Sequence, residues 1–380
     1  MTTSNLRPLI FSAAIGLLSV SIPVTSHATS TGQIHSQSCE IENHFTPRPS
    51  KATRIDFEAL DFIFSETVLF MGPSTRKRPP SPKLQLGTRQ TTTHTSPYRL
   101  EGNKVMYSIF TKEVKSDMKA YAEELIELGN NLDIPSLSRN EQLAYWINLH
   151  NLVVITTISE SYPPPYRRPT RIKPIKGSDE FLHDAKLITI DNVDLSLRDI
   201  REKIVFPNWK DKDVPYAFHL GYLGSPSMGN FAYNAPALKS QLKENAEEFV
   251  NSLRAYHRGE LNAYFRDVSP WYYPDLNQDL DQYFKQRMRP EVYAIYKAGG
   301  IKKIAKEELT LADMTGGLGR KSSISPFQSD DDATGIGLNI TQFLRERRHK
   351  IDQLQRIEWF KNGTVTIEDI ETDGETSVVE

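Results

Sequence analysis

The stretch Leu137-Ser-Arg-Asn-Glu-Gln-Leu-Ala-Tyr-Trp-Ile-Asn-Leu-His-Asn151 decides the fold. Ser138 and Glu141 have the spacing of a capping box, in which two side chains satisfy free amide groups at the start of a helix. The helix that they open continues to about Ile158 and is apolar on nearly every side. A helix of this kind is buried and does not lie on a surface. The stretch therefore predicts the centre of a folded core.

Further elements are predicted on both sides of this central helix. Residues 54–70 and 112–129 place apolar side chains at helical spacing. Residues 186–195 predict a hairpin with its turn at Asp191-Asn192, and residues 214–223 suit a buried strand. Helix caps are predicted at Ser196 and Asn234, helices at 276–308 and 340–357, and a second hairpin at 359–365.

This order of elements predicts the fold class and a division of the chain. We expect an α+β fold, with a helix-rich domain around a small, mostly antiparallel sheet, because there is no regular βαβ alternation. The expected segments are a signal peptide at 1–28, a lead-in helix and Pro-rich basic loop at 29–99, a main domain at 100–310, and a C-terminal helix, hairpin and acidic tail at 311–380.

Residues 1–28 have the layout of a secretory signal. Arg7 precedes the apolar run 9–22, Pro23 ends it, and the small side chains of Ser26 and Ala28 suit a cleavage site. The run is shorter than the roughly 20 residues that span a bilayer, although an uncleaved anchor is the alternative. No later stretch is long and apolar enough to span. We therefore expect a periplasmic or secreted protein with no transmembrane span after signal removal.

Composition excludes several classes of function. The chain is 38% apolar and 25% charged with a net charge of −2, so it has no basic field that would bind nucleic acid. Its single cysteine, Cys39, can form neither an internal disulfide nor a cysteine zinc site. No histidine pair has helical zinc spacing, and residues 330–332 lack the alternating oxygen ligands of a calcium loop. We expect no cofactor and no metal.

Two loops are open to more than one interpretation. Residues 72–99 are rich in proline and carry a basic cluster at 76–83, which is either a solvated loop or a surface that contacts anionic partners. The glycine-rich residues 315–319 lack the context of a phosphate loop, and we interpret them as a flexible connector.

Segment 137–151 resembles the signature helix of the domain-of-unknown-function 547 family. That pattern has a Ser-x-x-Glu start followed by Ala-Phe-Trp-Ile-Asn-Leu-Tyr-Asn. Weaker similarities follow in the family's order at 194–200, 217–226 and 268–275, so that the resemblance spans about residues 100–290. It implies a domain whose biochemical activity is itself unknown.

The departures from the family pattern bear directly on chemistry. Leu220 and Ser225 stand where the family has two cysteines, and Arg201 and Glu202 follow Ile200 where the family has Glu-His. A cysteine and a histidine are the usual parts of a thiol hydrolase site, because the thiolate needs a nearby base or cation. Their loss excludes thiol chemistry at this place.

The signature helix carries three candidate binding residues. Asn148 and Asn151 are three positions apart on one face of the helix. Buried amides of this kind either bind the backbone of a neighbouring loop or line a cleft that holds a ligand. Trp146 is either a core residue or a stacking surface.

Ser225 and His219 are weak catalytic candidates. The flanks of Ser225 in 224–227 fail the Gly-x-Ser-x-Gly pattern on both sides. His219 is the nearest base in sequence. The alternative is a tight turn in which the serine hydroxyl satisfies local backbone groups.

Three functions are consistent with these features. The first is a protein that binds an unknown envelope ligand or protein without thiol catalysis, at a cleft between the signature helix and the 219–227 turn. The second is an envelope hydrolase that uses Ser225 or a carboxylate such as Glu202. The third is an interaction module that uses the 76–83 loop. The predicted binding residues are Trp146, Asn148, Asn151, His219 and Ser225.

Overall fold

The computed structural model describes residues 40–80, 90–91, 94–164, 167–300, 303–319, 323–324 and 338–356. The chain divides into two units, Met1–Glu40 and Ile41–Glu380. All elements named below lie in the second unit. The predicted signal, Cys39, residues 330–332 and the 359–365 hairpin lie outside the described residues.

The central helix is present and is buried along almost its whole length. It is helix α3, Arg139–Glu160, and every residue of 141–159 is buried. Helices α1, Glu58–Thr67, and α2, Lys112–Asn131, precede it, and α2 packs along it. The buried residues of α2 lie on one face, as its helical spacing predicts. The prediction of a buried core helix is confirmed.

The start of α3 uses only half of the predicted capping box. The Ser138 hydroxyl accepts a hydrogen bond from the Glu141 amide at 3.3 Å, as predicted. The Glu141 carboxylate instead accepts the amide of Ile55 at 3.3 Å. The glutamate therefore attaches the segment that leads into α1 to the start of α3.

In the described part of the chain, five further long helices follow α3. A short helical segment first runs through Leu197–Asp199, the π-helix Ile200–Val205 and Phe206–Asn208. The later helices are α4, Leu238–Val250; α5, Ala263–Tyr272; α6, Leu276–Arg287; α7, Pro290–Ala298; and α8, Leu338–Arg356.

The strands form several small sheets. Antiparallel pairs join β1 to β3, β2 to β9, and β4 to β5, while β7 pairs antiparallel with β6 and parallel with β8. The α+β class is confirmed, but the described strands form four separate small sheets where the sequence predicts one. The strands are β1, Val68–Leu69; β2, Gln90–Thr91; β3, Lys104–Val105; β4, Lys186–Ile190; β5, Val193–Ser196; β6, Tyr256–His257; β7, Glu260–Leu261; β8, Lys303–Ile304; and β9, Ser323–Ile324.

The first predicted hairpin and the cap that follows it are confirmed. Asp191 and Asn192 have φ angles of 50° and 61°, which is the conformation of a type I′ turn between β4 and β5. Ser196 then caps the next helical segment, and Asp199 completes a full capping box there.

Three sequence predictions are wrong in detail. Residues 214–223 are not a strand: Val214–Ala217 is a 3₁₀ helix, because Pro215 suits a first helical turn and an apolar run cannot distinguish buried strand from buried helix. The helices predicted over 276–308 are α6 and α7, which are separated before Pro290, but the helical structure ends at Ala298 and does not continue to 308. The helix cap predicted at Asn234 is the third, because its side chain accepts the Ala237 amide at 3.0 Å in the turn before α4 begins.

The two loops that had more than one interpretation, 72–99 and 315–319, both make specific contacts with the folded unit. Arg76 donates hydrogen bonds to the backbone oxygens of Ser252 at 2.9 Å and Tyr256 at 2.7 Å. This arginine therefore belongs to the packing of the unit and is not part of a free basic surface. Residues 315–319 are not a free connector, because Thr315 is buried and its amide donates to Asp313 at 2.8 Å. Among the described residues, no helix is long and apolar enough to cross a bilayer.

Candidate functional site

The two asparagines of α3 hold neighbouring loops through their side-chain amides. Asn148 donates to the Tyr233 oxygen at 2.8 Å and accepts the Tyr233 amide at 2.9 Å. Asn151 donates to the Ala217 oxygen at 2.8 Å and accepts the His219 amide at 3.0 Å. Both side chains are buried. They therefore satisfy loop backbone groups inside the core, which is the first of the two interpretations given above.

Ser225 and His219 do not form a catalytic pair. Both residues are 0% exposed. The Ser225 hydroxyl donates to the Tyr222 oxygen at 2.7 Å and accepts the Leu220 amide at 3.3 Å. The His219 Nδ1 lies 3.0 Å from the Pro226 oxygen, and burial lowers the pKa of this imidazole to about 4. The serine hydroxyl thus satisfies a local turn, and the predicted cleft is closed by packing at this point.

Trp146 lies in the core. Its ring makes edge contacts with Phe45 and Tyr145, at centroid distances of 5.2 and 5.1 Å. It is buried on all sides, so a ligand cannot stack on it without displacing these neighbours.

A cluster of one arginine and two histidines lies beside this closed turn. The Arg201 Nη1 is 2.7 Å from His150 Nε2, 3.3 Å from His183 Nδ1, and 3.2 Å from the Leu197 oxygen. The two imidazoles lie nearly parallel, with centroids 6.3 Å apart. All three side chains are buried, and Arg201 is 6% exposed.

The hydrogen bonds on the far side of each ring fix both histidines as neutral acceptors. His150 Nδ1 lies 3.1 Å from the Asn151 oxygen, and His183 Nε2 lies 3.1 Å from the Leu220 oxygen. Each of these nitrogens therefore carries the proton, and the other nitrogen accepts from Arg201. The pKa values of both imidazoles lie well below the usual range, mainly because the rings are buried and also because the Arg201 charge is close.

Arg201 carries its charge without a carboxylate partner. None of the ion pairs among the described residues includes it, and only its Nη1 makes hydrogen bonds with them. Burial lowers the pKa of the Arg201 guanidinium, while the nearby Glu202 opposes this effect. A guanidinium has such a high pKa that it nevertheless stays charged.

The cluster opens into a cavity of about 310 Å³. His183, Arg201 and Glu202 line it on one side, and Leu220 and Tyr222 on another. Glu202, a weak catalytic candidate from the sequence, therefore does face a cavity, where it accepts a hydrogen bond from Arg198 at 3.2 Å. The remaining lining residues include Tyr264, Asp267 and Glu307.

The sequence did not predict His150 or His183 as site residues. His150 is adjacent to Asn151 in the signature segment, where its polar ring in an apolar helix was the available signal. His183 stands alone in its segment and offers no spacing pattern. Among the described residues, no group of three or more histidine, cysteine or acidic side chains is placed to hold a metal ion.

The cluster, the asparagine contacts and the Ser225 turn all fall within the part of the chain that a family model recognises. The model described as "Protein of unknown function, DUF547" matches residues 134–250. The family resemblance is thus confirmed for this segment. No curated protein and no solved structure matches the chain significantly.

The cavity coincides with the family positions that differ in this chain. Leu220 stands at a family cysteine position and Glu202 at the histidine position of the Ile-Glu-His element, and both line the cavity. The position of the other family cysteine, Ser225, is buried in the turn behind it. The DUF547 pattern therefore locates this cavity, which this chain lines with Arg201 and the neutral imidazole of His183, while His150 contacts Arg201 from behind.

Proposed function

We propose that this protein binds a ligand through an anionic group at the Arg201 cavity, without thiol catalysis. The observation that supports this proposal is a buried guanidinium that contacts two neutral imidazoles and, among the described residues, no carboxylate. Neutral imidazoles satisfy one edge of the guanidinium but do not neutralise its charge, and Glu202 acts on that charge without contacting it. A charge taken out of water costs several kcal/mol unless it is paired and hydrogen-bonded, and an anionic ligand in direct contact would offset that cost.

The geometry favours a planar, bidentate anion. With Nη1 occupied by the histidines, Nε and Nη2 make no hydrogen bond with the described residues. A guanidinium edge with two free donors matches a carboxylate, which accepts two parallel hydrogen bonds. We therefore expect small carboxylates to be the first ligands found. The ring of Tyr222 and the side chain of Leu220 offer apolar surface for the rest of the ligand.

A thermal-shift screen of small carboxylic and phosphorylated compounds on the mature protein tests the proposal. A ligand at 100 times its dissociation constant stabilises the fold by about 2.7 kcal/mol. We expect Arg201→Gln to abolish the shift and Arg201→Lys to reduce it, because lysine keeps the charge but loses the planar fork.

Lys173→Gln is the matched control, since Lys173 is an exposed cation that does not line the cavity. Its shift should equal that of the parent protein. A thermal shift in Arg201→Gln as large as in the parent protein would contradict the proposal. A shift that is lost in Lys173→Gln as completely as in Arg201→Gln would contradict it too.

Hydrolysis at Glu202 is the second candidate function. Glu202, Asp267 and Glu307 line one cavity, and neighbouring carboxylates are suited to general acid–base catalysis. Turnover of a defined compound that stops in Glu202→Gln, with binding retained, would favour this candidate over a binding protein. Ser225 is a poor nucleophile for such an enzyme because its hydroxyl is buried in the turn.

We also propose that the protein is exported to the periplasm or secreted after removal of residues 1–28. The support is the arrangement of Arg7, the 9–22 apolar run and Ala28. Amino-terminal sequencing of the protein from fractionated cells should begin at Thr29. Recovery of the full chain from the cytoplasmic fraction would refute export.

A further inference from the structure

A second cavity, of about 380 Å³, lies away from the Arg201 cluster. It is bounded by residues 167–171, which follow α3, by residues 94–95, and by the 310–318 segment. It shares no lining residue with the Arg201 cavity.

The charged residues described around this cavity are all positive. Arg167, Arg168 and Arg171 line it, and no aspartate or glutamate is among its described lining residues. All three arginines are exposed, and none of the ion pairs found in the described part of the chain includes them. Three like charges within five residues repel one another, and they create a local positive potential that an anion would relieve.

A buried histidine adds a neutral donor to this cavity. His94 is 4% exposed and lines the cavity. Its Nδ1 accepts the Ser96 amide at 3.4 Å, so that Nε2 carries the proton. Nε2 is buried and has no hydrogen-bond partner among the described residues. Burial, together with the charges of Lys104 and Arg99, lowers the pKa of His94 to about 3. The ring is therefore a neutral N–H donor at ordinary pH.

A buried donor without a hydrogen-bond partner is unfavourable, so His94 Nε2 points to a missing acceptor. This observation is independent of the three arginines. Exposed arginines are common on protein surfaces, but a buried N–H without a partner, on a ring that lines the same cavity, is not.

The 310–318 loop packs closely against His94 and Arg167, and two glycines make this possible. Gly316 has a φ of +62°, and a Cβ there would lie 3.0 Å from the His94 ring. Gly317 has a φ of +85°, and a Cβ there would lie 3.2 Å from Arg167. Asp313 is the nearby carboxylate of this loop, and it is occupied by the Thr315 amide at 2.8 Å and by the Tyr162 hydroxyl at 3.0 Å. Its charge is thus turned toward the loop itself and does not line the cavity.

We propose that this second cavity binds a phosphate ester or diphosphate, with the three arginines supplying charge and His94 Nε2 supplying a neutral N–H. The described lining offers these donors and no carboxylate that would select a cation. Guanidinium forks match phosphate oxygens in a bidentate manner. The volume exceeds that of one phosphate group, so a phosphorylated small molecule or a diphosphate fits better than inorganic phosphate. This site is separate from the Arg201 cavity and goes beyond the proposed function.

Isothermal titration of the full chain with pyrophosphate and with inorganic phosphate, at matched ionic strength in chloride, tests the proposal. We expect pyrophosphate to bind more tightly than phosphate. The double variant Arg168→Gln/Arg171→Gln should bind pyrophosphate at least about tenfold more weakly, since each charge-assisted contact is worth more than about 1.4 kcal/mol. His94→Phe keeps a ring of similar size, removes the N–H, and should also weaken binding.

One control makes the result decisive. Lys173→Gln removes an exposed cation outside the cavity and should bind pyrophosphate as the parent does. Undiminished binding in the arginine double variant would overturn the proposal. Absence of binding to the parent would overturn it too, as would a loss in Lys173→Gln equal to that in the double variant. Arg168 and Arg171 are exposed, so their replacement changes the cavity and not the packing of the fold.

Discussion

Replacing Asn151 by alanine separates a structural role from a ligand-binding role for the signature helix. The Asn151 amide joins α3 to the loop that leads into the Ser225 turn, through the Ala217 oxygen and the His219 amide. Asn151→Ala leaves both of these backbone groups without a hydrogen-bond partner at once. All three residues are buried, so water cannot take the place of the lost side chain.

The expected cost follows from those two groups. A buried donor or acceptor left without a partner costs about 1–3 kcal/mol, so two such groups cost about 2–6 kcal/mol. His150 also loses its acceptor at Nδ1, which lies 3.1 Å from the Asn151 oxygen. A typical domain has about 5–15 kcal/mol of stability in total. Asn151→Ala should therefore remove a large fraction of the free energy of unfolding.

Urea unfolding, followed by tryptophan fluorescence and far-UV circular dichroism, measures this loss. Asn130→Ala is a matched control, because Asn130 also accepts a backbone amide, that of Asp191 at 2.9 Å, and donates to the Thr189 oxygen at 3.3 Å. Asn130 is exposed, so water can replace its amide. The control should cost only about 0.5–1.5 kcal/mol.

The reasoning is refuted if Asn151→Ala loses no more stability than Asn130→Ala. A variant that keeps full stability but no longer binds ligands would show that the amide serves the ligand and not the loop.

Three other results are expected. His219 has a pKa of about 4 in the folded chain and about 6.5 when unfolded, so the unfolded state binds more protons between these pH values. The fold should therefore lose about 2 kcal/mol from this residue as the pH falls from about 7.5 to about 5, and urea unfolding of His219→Asn at these two pH values should show a smaller loss. Gly129→Ala should destabilise the fold in thermal melts, because its Cβ would lie 2.2 Å from the Tyr145 hydroxyl and this clash outweighs a gain of about 1 kcal/mol in helix propensity. Asn131→Ala, at an exposed position of the same helix, should not destabilise the fold. A stabilised Gly129→Ala would contradict the packing of Gly129 against Tyr145. Ser225→Ala should cost about 1–3 kcal/mol, because it leaves a buried amide without its acceptor, and should leave any turnover unchanged; loss of turnover in a folded variant would restore the serine as a nucleophile.

The sequence predicts those parts of the fold that depend on local pattern. The apolar circumference of α3, the Asp191-Asn192 turn and the Ser196 cap are all decided by neighbouring residues, and all are present. The 214–223 segment was assigned wrongly because burial on every side hides the period that separates strand from helix. The division of the strands into several small sheets depends on contacts between distant segments, which one sequence does not reveal.

The candidate site was predictable only where it overlaps the family pattern. Glu202 and Leu220 were found because they occupy positions where the family pattern has other residues, and both line the Arg201 cavity. His183 joins that cavity from a separate segment, so no spacing in the chain relates it to Arg201. The basic cavity around Arg168 brings His94 together with the 310–318 segment, which lies more than 200 positions later in the chain. Only folding places these residues side by side.

The complete enclosure of α3 has a consequence for how this chain can vary. Each residue of 141–159 faces a neighbour, and successive side chains are about 100° apart around the helix axis. Deleting one residue would turn every later side chain by that angle, so that Asn151 would point away from the loop that it holds. An insertion or deletion in this stretch would therefore disrupt the packing of every later residue of the helix, so we expect the length of this stretch to be fixed.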